Sequence, residues 1–389
     1  MKDPFAWIAP RLAELKEAGL DRGLRVFEAA NLPENVVDGR PVVQFSSNNY
    51  LGLATHPRVL RAAEEALKRY GAGSGASRLI SGTQTPHYHL ENSIAKFKGA
   101  EGALVYGAGI LANLGLLPCL ASDKDIILLD KSVHASLYDG ARLSGAEVRR
   151  FPHGDLARLE DTLKQVAGLA GRRVLVVVEA VYSMDGDILP LPSLLALSEK
   201  YGAMLVVDEA HSTGVLGSGG KGILEHFSLP WHPNLVLVGT LSKALGTLGG
   251  FVAGPADLVS WLKNSSRSFI FATALPGLCA AAADEALSVI QDEPERVARL
   301  WKNRHILANG LAALGWDLGR SATPILPIAV GSAAQAVSLQ QHLWDLGYYV
   351  PAIRPPTVPA GACRLRITVT SEHREDHITG LLGALGGKP

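Results

Sequence analysis

Two apolar runs of this chain end in residues equipped for covalent and acid–base chemistry. AMLVVDEAH (203–211) places Asp208 at the end of a buried strand and His211 three residues later, and NLVLVGTLSKALG (234–246) places Thr240 and Lys243 at the end of another. In open α/β sheets ligands bind outside the carboxyl ends of the strands, so polar residues at those ends are the ones to collect. A lysine in a loop of small residues is poorly placed merely to solvate a surface. Its amine can condense with an aldehyde, while a buried carboxylate can keep a pyridine nitrogen protonated so that the ring withdraws electrons. Pyridoxal phosphate requires both, together with a phosphate site. GAGILA (107–112) offers one: Gly107 and Gly109 sit at a strand-to-helix turn, where backbone N–H groups at a helix N-terminus can cradle phosphate. The same turn, with Asp130 ending the next run DIILLD, also matches a dinucleotide fingerprint. A nicotinamide cofactor, another phosphorylated cofactor and a tight structural turn therefore all stay open. For Asp208 the bland alternative is a helix cap, and for His211 a satisfied core histidine.

Three further features have a chemical and a structural reading. His134, just past DIILLD, can stack a flat ring on a cofactor or serve the loop. Ser183, in VYSMDGD, can hydrogen-bond a cofactor or stabilise the turn made by Asp185 and Gly186. Arg364 and Arg366 alternate with apolar residues on a final strand, so both face one side of it. An arginine fork suits a carboxylate, though a solvated strand face would look the same. RPPTVPAG (354–361) is stiffened by three prolines and presents Thr357 in a fixed place, as a substrate wall or a linker.

The elements that must position these residues follow from periodicity. GALVYG (102–107), DIILLD (125–130), RVLVVVEA (173–180), AMLVVDEA (203–210) and NLVLVGT (234–240) alternate with helical segments and are apolar on both faces. That pattern predicts an α/β domain with a mostly parallel sheet covered on two sides. A helix over 6–20 and a loop and short strand over 21–44 lead to FSSNNYLGL (45–53) as an N-terminal arm. A helix over 58–70 puts Leu60, Ala63, Leu67 and Tyr70 on one face before a Gly71 C-cap, and Thr85–Pro86 opens the next helix. After about residue 285 come a long helix (293–314), a strand TPILPIAV, a helix near 333–346 and a strand RLRITVT. The expected organisation is an arm (1–45), a large cofactor-binding domain (46–288) and a small α+β C-terminal domain (289–389).

Composition sets outer bounds. The 389 residues are 47% hydrophobic and 19% charged, which excludes a disordered or fibrous chain. Thirty-seven basic residues balance 37 acidic ones, so the electrostatic footprint of a nucleic-acid binder is missing. Cys119, Cys279 and Cys363 are odd in number and far apart, which fits a reducing cytosol better than a disulfide framework. No apolar stretch reaches the ~18 residues of a spanning helix. A cytoplasmic protein without membrane or metal involvement is expected.

The series FSSNNYLGL, GAGSGASRLISGT, HASLYDGARLSGA, YSMDGDILPL, VVDEAHSTGVLG, GTLSKALG and AIRPPTVPAGACRLRITVTSEH, in that order along the whole chain, resembles the α-oxoamine synthase family of pyridoxal-phosphate enzymes of fold type I. The resemblance implies an acyltransferase that joins an amino acid to an acyl thioester with loss of carbon dioxide. AIRPPTVP is most similar to members that use L-alanine and a pimeloyl thioester, carried on CoA or a carrier protein, rather than glycine and acetyl-CoA. It also implies a homodimer. Carried over by residue, Lys243 bonds the cofactor aldehyde and removes the α-proton, Asp208 pairs with the pyridine nitrogen and His134 stacks on the ring. His211 and Ser183 approach the ring's phenolic oxygen or the substrate, while Thr240 and the backbone at Gly109 and Ile110 hold the phosphate. Asn48 and Arg366 match positions that bind the amino acid's carboxylate, Thr357 one that contacts substrate, and Arg22, with Arg25 beside it, the arginine near the acyl tail. The family commonly has an aromatic residue where this chain has Ile110, which changes the pocket wall but leaves backbone phosphate contacts intact.

Overall fold

Strands that are apolar on both faces must be covered on both. The computed structural model, which describes residues 3–387 apart from 167 and 170, shows how this is done. In chain order the strands are β1 (Glu34–Val37), β2 (Arg40–Gln44), β3 (Gly102–Tyr106), β4 (Ile126–Asp130), β5 (Glu147–Phe151), β6 (Val174–Glu179), β7 (Met204–Asp208), β8 (Leu235–Thr240), β9 (Gly250–Gly254), β10 (Ile325–Gly331), β11 (Tyr348–Tyr349), β12 (Ala352–Ile353) and β13 (Cys363–Thr368). Strands β3 to β9 form one sheet in the order β3-β9-β8-β7-β6-β4-β5. Strands β5, β4, β6, β7 and β8 run parallel, and β9 is antiparallel to β8 and β3. This is the mostly parallel α/β sheet that the sequence predicts, and all five expected runs are strands of it.

Two of its strands carry no such signal. The β5 strand reads EVRRF, because at the sheet's edge it can keep charged residues in water. The β9 strand reads GFVAG and is glycine-bounded for a steric reason: a Cβ on Gly250 would lie 2.6 Å from the Ala108 carbonyl oxygen.

Helix details also differ from expectation. The helix Pro57–Tyr70 packs against Gly277–Asp292 and buries Val59 and Ala66, while Leu60 and Leu67 of the expected face stay about half exposed. Close approach to the alanine-rich Gly277–Asp292 selects the smaller side chains. The next helix, Thr85–Lys98, has Gln84 at its N-cap, whose backbone N–H is accepted by His87 Nδ1 at 3.0 Å, so the helix starts at Thr85 itself with Pro86 in its first turn.

The chain forms two compact units. The larger comprises Asn49–Ser183 and Asp187–Leu300; the smaller comprises the described residues up to Asn48, Met184–Gly186, and those from Trp301 onward. The arm groups with the C-terminal residues because β2 pairs in parallel with β11, with Val43 opposite Tyr348. The boundary drawn at 288 falls inside Gly277–Asp292, and the chain changes unit instead within Glu295–Ala313. Within the smaller unit, β10-β13-β12 form a second sheet whose core includes Phe45, Leu326, Leu365 and Ile367. Gly186, at φ 70°, must be glycine there, since a Cβ would sit 2.2 Å from the Ile325 carbonyl oxygen.

In the larger unit two buried ionic groups hold the loops that leave the strand ends. Lys98 Nζ donates to Glu209 at 2.5 Å, to Thr213 Oγ1 at 2.8 Å and to the Lys221 carbonyl at 2.7 Å, while Glu209 also accepts the Ile223 N–H. His153 bridges Asp130 (Nδ1, 3.1 Å) and Asp187 (Nε2, 2.9 Å), and Tyr182 donates its hydroxyl to Asp130 at 3.0 Å. Burial works against a charged ring, but the two carboxylates outweigh it and move the His153 pKa up to about 9.

Removing one partner of a buried pair leaves a stranded charge, so Lys98→Ala should lower unfolding stability by about 3–5 kcal/mol in chemical denaturation. For His153 the folded pKa is raised, so its stabilisation is complete below the unfolded value near 6.5 and is lost as pH rises through about 9. Denaturation midpoints at pH 6, 7.5 and 9.5 should fall across that window in the parent protein, and the fall should be flatter in His153→Gln.

Candidate active site

Because β4, β6, β7 and β8 are parallel, their last residues, Asp130, Glu179, Asp208 and Thr240, share one edge of the sheet. A cavity of about 230 Å³ lies at that edge. It is lined by Gly109, Ile110, His134, Ser183, Asp208, His211, Thr240 and Lys243, so the structure brings together all eight residues expected on the cofactor side. Asp130 is not among them. Its carboxylate is occupied by His153, Tyr182 and the Ser132 N–H, which removes the acidic residue that the dinucleotide reading needs.

Asp208 is 6% exposed and is not a helix cap: Oδ1 accepts the Ala210 N–H and Oδ2 accepts from Asn113 Nδ2, both at 2.9 Å. Lys243 Nζ lies 2.7 Å from His211 Nε2, and His211 Nδ1 lies 2.8 Å from Tyr50 Oη. A neutral imidazole donates from one nitrogen and accepts at the other. A protonated Lys243 amine that donates to Nε2 therefore leaves Nδ1–H to donate to Tyr50. His134 caps the helix Ala135–Leu143: its Nδ1 accepts the Ser136 N–H and meets Ser136 Oγ at 2.7 Å, which fixes the ring's direction. Burial lowers its pKa despite the nearby charge of Asp208, so the ring is neutral at physiological pH.

The glycine turn closes the site. Gly109 begins the helix Gly109–Leu120 and packs so tightly on β8 that a Cβ would come within 3.2 Å of the Thr240 side chain. Thr240 Oγ1 donates to the Gly249 carbonyl and accepts the Ser242 N–H, which anchors the loop carrying Lys243. A free helix N-terminus, a lysine amine and a buried carboxylate around one cavity are the donor set that pyridoxal phosphate requires, and these residues fit it.

Asn113, Ser136, Glu179 and Tyr50 were not singled out by sequence reasoning. Asn113 had a signal, as the one amide in the otherwise apolar GILANLGLLPCL helix, where a buried polar group must have a purpose. Glu179 had one too, since it ends an apolar run just as Asp208 does. Tyr50 and Ser136 had none.

The remaining expected residues belong to the smaller unit. Arg366, 5% exposed on β13, directs Nη1 and Nη2 at Asn48 Oδ1, each at 3.3 Å, and Nη1 also donates to Thr368. Arg364, its neighbour on the strand, is instead taken by Asp185 at 2.5 Å. Thr357 donates its backbone N–H to the Arg354 carbonyl, and Arg22 donates to the Pro355 carbonyl at 3.4 Å. Arg354 in turn donates to the carbonyls of Gly19 and Asp21, so the arm and the proline-rich loop hold each other. Arg25 is already engaged, bonded to Asp38 at 2.8 Å and stacked 4.5 Å over Trp344. Among the described residues no helix is long and apolar enough to cross a membrane, and no group of three or more acidic, histidine or cysteine residues could hold a metal.

The family model for aminotransferase class I and II matches residues 40–385. An 8-amino-7-oxononanoate synthase from Geobacter sulfurreducens is 47% identical over 381 residues, covering 97% of this chain and 96% of that one. Among solved structures, a serine palmitoyltransferase from Sphingomonas wittichii has a TM-score of 0.92 at 35% identity, covering 99% of this chain and 97% of that one. An 8-amino-7-oxononanoate synthase from Francisella tularensis has a TM-score of 0.76 at 29% identity, covering 88% and 96%.

Proposed function

This chain belongs to the aminotransferase class I and II family, in its α-oxoamine synthase branch, and from that premise we propose that it is an 8-amino-7-oxononanoate synthase of biotin biosynthesis. It joins L-alanine to a pimeloyl thioester and releases carbon dioxide and the thiol. The observation that carries the choice within the branch is the set of 8-amino-7-oxononanoate synthases that are 41–47% identical over 96–97% of this chain. The one from Francisella tularensis described above, at 29%, is less similar than the serine palmitoyltransferases of known structure at 34–36%, so the choice rests on the sequence relatives.

The enzyme takes pyridoxal 5'-phosphate, which when bound supplies an aldehyde for amine exchange and an electron-withdrawing ring that stabilises a carbanion at the amino acid's α-carbon. Lys243 is the amine that would hold it and the base that would take the amino acid's α-proton on Nζ. The resulting ammonium donates to His211 Nε2 at the 2.7 Å separation, and His211 passes a hydrogen bond from Nδ1 to Tyr50, so the proton is held in a defined place. Asp208, with its two donors already in place, would hold the cofactor's ring nitrogen by its negative charge and keep it protonated. His134 would present a neutral flat ring for stacking, Ser183 and His211 would meet the phenolic oxygen or substrate, and Thr240 with the Gly109–Ile110 backbone would hold the phosphate. Asn48 and Arg366 bind the amino acid's carboxylate, and Thr357 contacts substrate. The working form is a cytoplasmic homodimer; the exposed Leu60, Leu67, Leu79, Ile80 and Phe271 of the larger unit support an apolar interface.

Purified enzyme should release thiol and carbon dioxide fastest with L-alanine and pimeloyl-CoA or its carrier-protein thioester. Faster turnover of glycine with acetyl-CoA, or of serine with palmitoyl-CoA, would move the chain to another member of the branch. Lys243→Ala should lose turnover and the visible chromophore together while staying folded.

Acyl recognition gives a second test. A pimeloyl chain ends in a carboxylate, and Arg22, whose Pro355 contact is long at 3.4 Å, can reach for it more readily than the doubly engaged Arg25. A charge-assisted bond at an exposed arginine sits at the low end of 1.5–3 kcal/mol, so Arg22→Ala should cut specificity for the pimeloyl thioester by about tenfold. A methyl-ended thioester of equal length should be unaffected, and Arg25→Ala should leave both unchanged.

A further inference from the structure

Glu179 is the one ionisable group of the cavity with no part in these steps. It ends β6, is 3% exposed, and is register-paired with Asp208 at the end of β7. Paired positions on parallel strands project from the same face, and both side chains line the cavity. Two carboxyls side by side out of water are costly unless both are met by donors and one of them is neutral.

The hydrogen bonds of Glu179 indicate its task. Glu179 Oε1 accepts the backbone N–H of His134, and its carboxyl also accepts the backbone N–H of Ser183. These two amides lie in the segments that follow β4 and β6, beyond the last residues of those strands. The His134 ring is locked onto its own local backbone through Ser136, so the direction of that ring follows the main chain that Glu179 anchors.

We propose that Glu179 is a positioning residue: its carboxyl pins the main chain at His134 and Ser183, so that both side chains enter the cavity from adjoining strand ends. This rests on the reading above for what fills the cavity. An oxygen acceptor suffices for the task. Burial, reinforced by the charge of Asp208, raises the proton affinity of Glu179 well above the usual carboxylate range, and a neutral carboxyl still accepts through its carbonyl oxygen. Asp208 then keeps the site's single negative charge without a competing one beside it.

The test combines cofactor affinity with amide hydrogen exchange on the full chain. Glu179→Met removes the acceptor and should weaken pyridoxal phosphate binding by about tenfold, whereas Glu179→Gln keeps an oxygen in place and should stay within about threefold of the parent. In a His134→Ala, Ser183→Ala background the penalty of Glu179→Met should shrink to less than about twofold, because the side chains it positions are gone. In the cofactor-free protein the His134 and Ser183 amides should exchange slowly in the parent and in Glu179→Gln, and faster in Glu179→Met. Equal losses in Met and Gln, or a tenfold penalty that persists in the double-alanine background, overturns the proposal. Should Glu179→Met not fold, the parent decides: protected amides at 134 and 183 support the anchor, and exchange at open-loop rates overturns it. If the parent binds no pyridoxal phosphate, the functional reading fails while the exchange result still judges the anchor.

Discussion

A negative charge kept almost out of water at Asp208 is the constraint around which the site is arranged. Such a charge is tolerated only where donors meet it, and here an asparagine side chain and a backbone N–H do so before any ligand arrives. Meeting those needs dictates much of the larger unit. The helix Gly109–Leu120 must lie close enough for Asn113 to reach across, which demands glycine where it crosses β8. Next in sequence, Glu209 turns away into a pocket built around Lys98, and its bonds to Lys98 and Ile223 shape the loop carrying His211. Adjacent acids thus do opposite work: Asp208 faces the cavity, while Glu209 is neutralised behind it.

Parallel strands supply the second half of the arrangement. With β4, β6, β7 and β8 in one direction, four loops leave the same edge, and small register differences set how far each reaches. The sheet then needs only to be stiff. Buried positions along the whole of β6 and β8 make it so, and loops anchored by Thr240, His153 and Glu179 inherit that stiffness. Preorganised donors of this kind need no rearrangement when charge develops during reaction.

Much of this was legible in the sequence because the central strands are unusually plain. Runs such as VLVVVE and LVLVGT admit one reading, and the polar residue that ends each run stands out. The dinucleotide alternative rested on Asp130 and failed for a reason the sequence hides: His153, 23 residues on, returns to claim its carboxylate. The edge strand EVRRF and the glycine-bounded GFVAG were missed because their burial depends on neighbours distant in sequence. The buried face of Pro57–Tyr70 was assigned to leucines, whereas the alanine-rich helix against it selects Val59 and Ala66. Asn113 and Glu179 were readable as buried polar groups in apolar runs; Tyr50 was not, because only the fold brings its hydroxyl to His211.

The cavity and the N-terminal arm are built with different mechanical character. Asp208, Glu179 and Thr240 at the cavity sit on strand ends with buried side chains that are hydrogen-bonded to the loops beside them. The arm and the proline-rich loop are tied by a few arginine-to-carbonyl bonds, and the helix Ile8–Glu17 buries none of its side chains. Elements held so lightly open at low free energy and tolerate substitution. Arginine bonds to main-chain carbonyls also leave the guanidinium charge uncancelled, unlike the Arg25–Asp38 pair nearby.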